Sequence, residues 1–138
     1  MLDSLTFEIS ADPTRIDLAM VCDFLGQSYW AQYFPRELVE RSIRNSLCFG
    51  AYVGDQQIAF ARVITDRALV AYLADVFVLP SFRGHGVGKK LIRGVLDHPD
   101  LQTTRVFLLR TRDAQRLYER FGFGPLPRPE EMMGRYVS

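Results

Sequence analysis

Apolar residues recur along this chain with two periods, every second residue in some stretches and every third or fourth in others, and the changes of period mark its elements. Phe7 and Ile9 alternate with polar neighbours and predict a short first strand. Leu18, Val21, Cys22 and Leu25 share one helical face, which predicts a helix from about Ile16 to Ser28. Asp12 ahead of Pro13, or else Asp17, supplies its start. Pro35 opens a second helix that carries Leu38, Val39, Ser42 and Ile43 to about Asn45. Leu47 to Val53 reads as a strand, Gly54-Asp55 as a tight turn, and Gln57 to Thr65 as the returning strand. Asp66-Arg67 turns the chain again into Leu69 to Leu79, a long strand dense in β-branched and aromatic residues. A helix follows from Gly88 to Leu96, with Val87, Leu91 and Val95 as its inner stripe and Asp97-His98-Pro99 as its end. Arg105 to Arg110 is another strand, and Asp113 to Phe121 a last helix whose Ala114, Leu117, Tyr118 and Phe121 share a face. Gly122 is placed as the C′ residue of that helix. The remaining segment, with Pro125, Pro127 and Pro129, predicts two short strands around a loop.

The order β-α-α-β-β-β-α-β-α-β implies an α/β fold, a mixed sheet with helices on both faces. At 138 residues the chain is expected to be one domain, residues 1–138. Hydrophobic residues at 48% and charged residues at 24% are ordinary for a soluble globular protein. The net charge of +1 argues against a nucleic-acid partner held by a basic surface. Cys22 and Cys48 lack CxxC spacing and read as buried free thiols, which implies a cytoplasmic location. Met1-Leu2-Asp3-Ser4 does not resemble a signal peptide, and no apolar stretch approaches a membrane span.

Chemistry enters at Arg83-Gly84-His85-Gly86-Val87-Gly88, between the long strand and a helix. A strand, a glycine-rich turn and a helix start in that order form an anion cradle, because unpaired N–H groups and the helix dipole converge there. The P-loop pattern fails, since its first glycine falls on Arg83 and its Ser or Thr on Lys90. The dinucleotide pattern fails as well, since its third glycine falls on Lys89, or on Leu91 if shifted. What remains is Arg-x-x-Gly-x-Gly after Val78-Leu79-Pro80. With the spacing Ala114-x-x-Leu117-Tyr118-x-x-x-Gly122-Phe123 in register behind it, the chain resembles the GCN5-related N-acetyltransferases, and in particular short bacterial members. Ser28-Tyr29-Trp30 and Ser46-Leu47-Cys48-Phe49-Gly50 add to the likeness.

The resemblance implies a mostly antiparallel central sheet and acetyl-CoA as cofactor. It implies that the pyrophosphate lies on the backbone of Arg83, Gly84, His85, Gly86, Val87 and Gly88, and that the pantetheine arm runs beside Phe77 and Val78. Thr111 and Ala114 belong to the same cofactor-binding set. Many members carry Asn where this chain has Thr111, which lacks the amide's paired donor and acceptor. Lys89, Lys90 and Arg93 either help neutralise phosphate or form a solvated helix face. The implied reaction is attack of a primary amine, from a small molecule, amino acid or peptide, on the acetyl thioester. Tyr118 is the candidate general acid for the leaving thiolate; the alternative is that it only packs. Asp75 interrupts an apolar run and is the candidate base; the alternatives are an ion pair with an arginine such as Arg62, or exposure to solvent. Tyr29, Trp30, Arg62 and Tyr72 are expected at the acceptor pocket, with Phe60 facing the same cleft. The aromatics either grip the amine or form a packed lid. A homodimer is a family-level expectation. The competing function is an acyl-CoA-binding sensor or partner module without chemistry.

Overall fold

A computed structural model describes residues 5–137. The strands are β1 (Glu8–Ser10), β2 (Leu47–Val53), β3 (Gln56–Thr65), β4 (Val70–Val78) and β5 (Val106–Leu109). The helices are α1 (Leu18–Gly26), α2 (Arg36–Arg44), α3 (Val87–Leu96) and α4 (Gln115–Glu119). The strands form one sheet in chain order. All neighbours are antiparallel except β4 and β5, whose parallel pairing is made possible by the crossover through α3. This is the mixed sheet with helices on both faces that the pattern predicts.

Both candidate caps at the first helix are used. The Asp12 carboxylate accepts the Thr14 N–H at 2.9 Å and starts a 3-10 turn, and Asp17 accepts the Met20 N–H at 3.1 Å and starts α1. Each sheet face then has its own core. On one, α3 sets Val87, Leu91, Ile92 and Val95 against Phe49, Ala51, Val63 and Leu73. A Cβ at Gly94 would come within 2.8 Å of the Ile9 side chain, so α3 lies very close to β1 there. On the other face α1 and α2 bring Val21, Cys22, Leu25, Val39 and Ile43 onto Cys48, Phe60 and Phe77. Phe24 stacks on Phe77 with ring centroids 3.9 Å apart. Both cysteines are buried and free, and burial pushes the Cys48 thiol up to about 12.

Four expectations are corrected. Helix α3 begins at Val87, one residue early, because Gly86 adopts the left-handed conformation of its N-cap. Helix α4 has five residues rather than nine, since the Thr111 hydroxyl accepts the Ala114 N–H and holds a separate turn before it. Gly122 does take a positive φ of 91°, but sits one residue beyond the C′ place. No strand forms after Gly124 among the described residues; a short turn at Pro129–Glu131 stands there instead. Prolines at 125, 127 and 129 remove every second N–H, so one edge of that segment has nothing to donate to a ladder.

The turn between β3 and β4 is held by one carboxylate. Asp66 Oδ1 accepts the N–H groups of Ala68, Leu69 and Val70 at 2.8–3.0 Å. Those bonds, with Val70 first, hold the Asp66 carboxyl below its ordinary range. A carboxyl whose folded pKa is depressed contributes stability above its unfolded pKa of about 3.9 and loses it as pH falls through the folded value. Asp66→Asn is therefore expected to be less stable than wild type near neutrality, with the gap shrinking below about pH 4. Urea midpoints of both proteins across that range test this; a gap independent of pH would refute it.

Candidate active site

The ladder between β4 and β5 runs from Val70–Val106 to Leu73–Leu109 and stops. Strand β4 continues to Val78, still paired with β3. On that side Phe60 faces Phe77 while Arg62 faces Ala74, so β4 carries one residue more than β3 between the same points. That surplus is a bulge, which bends a strand and increases its twist. Asp75 lies in it with φ +55°, a left-handed conformation that Asp tolerates better than most residues. From Ala74 to Val78, β4 has no partner on its β5 side among the described residues. The result is a slot beside an unpaired strand edge.

At the end of that edge lies the glycine loop. Gly84 and Gly86 have φ +84° and +78°, and a Cβ on either would meet nothing within 4 Å. Glycine is required there by backbone conformation rather than by crowding. The first ladder bond of α3 runs from the Lys90 N–H to the Gly86 carbonyl, and no side chain caps the helix. The N–H groups of Val87, Gly88 and Lys89 are thus open to an anion. Arg83 donates from Nε to the Val78 carbonyl at 3.0 Å and ties the loop to the end of β4. His85 is exposed. Lys90 lies over the Phe7 ring, and Arg93 lies over Phe121 and pairs with Asp97 at 3.6 Å, so these two serve the helix surface. The Phe77 side chain is buried in the core, which leaves its backbone for the slot; Val78 is half-buried.

Tyr118 lies on α4, beyond the end of β5. With Leu109, Arg110, Thr111 and Phe123 it lines a cavity of about 390 Å³ where β5 ends. Burial pushes its phenol above the ordinary range. The Ala114 N–H donates to the Thr111 hydroxyl in the preceding turn, and that O–H donates to nothing among the described residues.

Asp75 is engaged at both oxygens. Arg62 Nε donates to Oδ2 at 2.8 Å and Trp30 Nε1 donates to Oδ1 at 2.8 Å. The arginine and aspartate side chains are only 15% and 11% exposed. Arg62 also donates to the Ser46 hydroxyl at 3.2 Å, which in turn donates to the Ser42 carbonyl of α2 at 2.7 Å. The ion pair with Arg62 is the arrangement named above as the alternative to a base. One carboxylate at the bulge thereby links β3, β4, α2 and the loop after α1. The guanidinium of Arg112 lies 3.7 Å from the Tyr29 ring centre, and Tyr29 meets Trp30 edge-on. Tyr72 is half-buried on the Arg62 face of the sheet. Phe60 is fully buried beside Phe77, so it belongs to the core and not to the cleft. Ser46 and Arg112 were not singled out individually by pattern, because nothing local distinguishes a network serine or a stacked arginine from surface residues.

A family model for the acetyltransferase (GNAT) domain matches residues 44–125, more than half of the chain. This chain belongs to the GNAT acetyltransferase family. A crystal structure from Xanthomonas campestris pv. campestris, assigned to the same family, is 48% identical with a TM-score of 0.92, covering 96% of this chain and 94% of that one. Glucosamine-6-phosphate N-acetyltransferase from Arabidopsis thaliana, 21% identical at a TM-score of 0.65, covers 96% of this GNAT chain and 99% of its own and shows the shared fold alone. An acetyltransferase by assignment from Gibberella zeae is 27% identical over 105 residues, 62% of this chain and 59% of that protein. An N-acetyltransferase from Gracilaria tenuistipitata var. liui, uncharacterised, is 31% identical over 99 residues, 66% and 52% respectively. The matched stretch thus spans a little over half the length of these two curated GNAT relatives.

The two loop positions separate stability from binding. Gly88 has an ordinary φ, and its nearest neighbour would be a Val78 methyl at 3.9 Å, so the protein itself admits a Cβ there. Gly88→Ala is expected to keep or gain stability, by up to about 1 kcal/mol, while weakening coenzyme A binding at least about tenfold, since the methyl would stand over the open N–H groups. Gly86→Ala is expected to lose about 1–2 kcal/mol from the left-handed penalty. Urea unfolding and calorimetric titration with coenzyme A read the two effects; wild-type affinity in Gly88→Ala would show that no anion sits on these amides.

Proposed function

We propose that this chain is an acetyl-CoA-dependent N-acetyltransferase that acts on a primary amine of a small molecule, amino acid or peptide. The observation that carries the reading is the slot along Ala74–Val78 running into the open helix terminus at Val87–Lys89. An extended arm ending in a pyrophosphate needs an unpaired strand edge and an anion cradle in line, and both lie on one continuous piece of chain. Acetyl-CoA supplies an activated thioester at the end of that arm.

The chain's own residues fit two further tasks. Tyr118 keeps its hydroxyl proton at working pH, as any phenol of pKa about 10 does, and burial acts in the same direction, so a proton is present where β5 ends. Giving it to a thiolate whose acid has a pKa of about 8.5 is uphill by at least roughly 2 kcal/mol, so the contribution is partial rather than absolute. Asp75, held by two donors, suits positioning better than proton removal: it fixes Trp30, and with it the loop that walls the acceptor side. An alkylamine is neutral in only about one molecule in 2,500 at pH 7, so the site must favour that minority form or take a proton by another route.

The reading is tested by thermal unfolding with acetyl-CoA, CoA, ATP and NAD in parallel. A ligand at a hundred times its dissociation constant adds about 2.7 kcal/mol to the folded state. A rise with acetyl-CoA and CoA alone, followed by thiol release on an amine panel, is the expected result. Binding without turnover on any amine would favour the sensor reading; an equal rise with ATP would overturn the cofactor.

A pair of variants tests the two roles. Tyr118→Phe is expected to lower kcat by about tenfold to a thousandfold with cofactor affinity unchanged. Asp75→Asn is expected to raise KM for the amine, shift the fluorescence of Trp30, the single tryptophan, and leave the pH–rate profile in shape. Loss of the alkaline-rising limb in Asp75→Asn would instead make Asp75 the base, and wild-type turnover in Tyr118→Phe would remove that residue from the chemistry.

A further inference from the structure

Arg112 has hydrogen-bond donors to spare beside the slot. Arg62 is engaged by Asp75, and Arg83 by the Val78 carbonyl. Arg112 forms no ion pair among the described residues, not even with the adjacent Asp113, and its guanidinium donates to none of them. What holds it is the Tyr29 ring, whose centre lies 3.7 Å from Cζ. That distance fixes the orientation. An edge-on guanidinium would push nitrogens, about 1.3 Å from Cζ, inside van der Waals contact with the ring. The two planes are therefore stacked. Stacking uses the face of the guanidinium and leaves its rim of N–H donors pointing away from the ring.

The stacked pair stands where the slot begins. Strand β5 stops pairing at Leu109, and Arg112 follows on the segment just beyond it. Tyr29 meets Trp30 with ring centroids 5.1 Å apart, and Trp30 bonds to Asp75 in the bulge of β4. The contact thus joins the two sides of the slot at the end away from the glycine loop. The carboxylate bonded to this loop, Asp75, is already matched by Arg62, so it has no charge left for a cationic ligand.

We infer that Arg112 selects the acceptor, and that the acceptor is an amine carrying an oxyanion, a carboxylate or a phosphate. Two donors on the guanidinium rim hold the oxyanion as a fork while the amine reaches into the slot. Tyr29, steadied through Trp30 by Asp75, keeps the fork in place beforehand, so less side-chain freedom is lost on binding. A neutral amine leaves those donors in water, and a diamine sets a second ammonium against the guanidinium. The inference rests on the acetyl-transfer reading and names the substrate class of that site.

Thiol release from acetyl-CoA tests it on a series of amino carboxylates and aminoalkyl phosphates of increasing length. Amino alcohols and diamines of matched length are run beside them. The anionic amines are expected to exceed the others at least about tenfold in kcat/KM, and the two anionic arms tell which oxyanion is used. Arg112→Gln is expected to lose that preference by raising KM for the anionic acceptors at least about tenfold, with kcat little changed. Arg112→Lys keeps the charge without the fork and is expected to fall between. Coenzyme A affinity, read by calorimetry, is expected to hold in both variants. Neutral amines or diamines that match the anions would overturn the inference and leave the acetyl-transfer reading standing. So would Arg112→Gln slowing anionic and neutral acceptors alike. A wild type that fails to bind coenzyme A, or binds it and turns over no amine, would strike the acetyl-transfer reading and this inference with it.

Discussion

Strand β4 pairs with β5 for four residues and then leaves it, and the rest of the site depends on that parting. A parallel pair that stayed closed would satisfy its own backbone groups and offer nothing to a ligand. The bulge at Asp75 is where β4 gains its extra residue, and the left-handed φ there is a local strain held by surrounding contacts. Because β4 stays paired with β3 up to Val78, the free edge keeps its extended form. The glycine loop and α3 follow directly, so the strand edge and the helix terminus are set by a single stretch of backbone.

The contacts at the bulge explain how the departure is maintained. A buried carboxylate without partners is costly, and here Arg62 and Trp30 supply both. Arg62 reaches on to Ser46, which bonds to α2. The same group that stabilises an unusual backbone conformation therefore fixes the loop after α1 over the slot. Breaking one partner would leave the other charge half-buried, so strand geometry and loop position are coupled. The stacking of Arg112 on Tyr29 adds a second link from that loop to the segment after β5.

The elements with many periodic residues were legible in the sequence. Strand β2 matches its expected bounds, and the apolar stripe of α3 is the buried one. The glycine loop was legible because positive φ leaves few residue choices, and Gly84 and Gly86 both take it. Helix α4 was overestimated because its apolar face reads as nine residues, while a hydroxyl from Thr111 makes a separate turn of the first part. The two final strands were expected on either side of a loop carrying Pro125, Pro127 and Pro129, and among the described residues no strand forms there.

By itself the sequence determined the order of elements as far as α4, the two-sided burial of the sheet and the glycine turn that opens α3, since these follow from local periodicity and backbone preference. It also supplied the spacing of Ala114, Leu117, Tyr118 and Gly122 that points to the family. Only the tertiary structure decided what Asp75 touches, because Trp30, Arg62 and Asp75 lie 45 and 13 residues apart along the chain and meet only when the sheet and the loop close around them. The width of the slot was likewise beyond the sequence. Strand propensity says that β4 and β5 are strands, but where two strands cease to pair is set by a bulge and by what packs on either side.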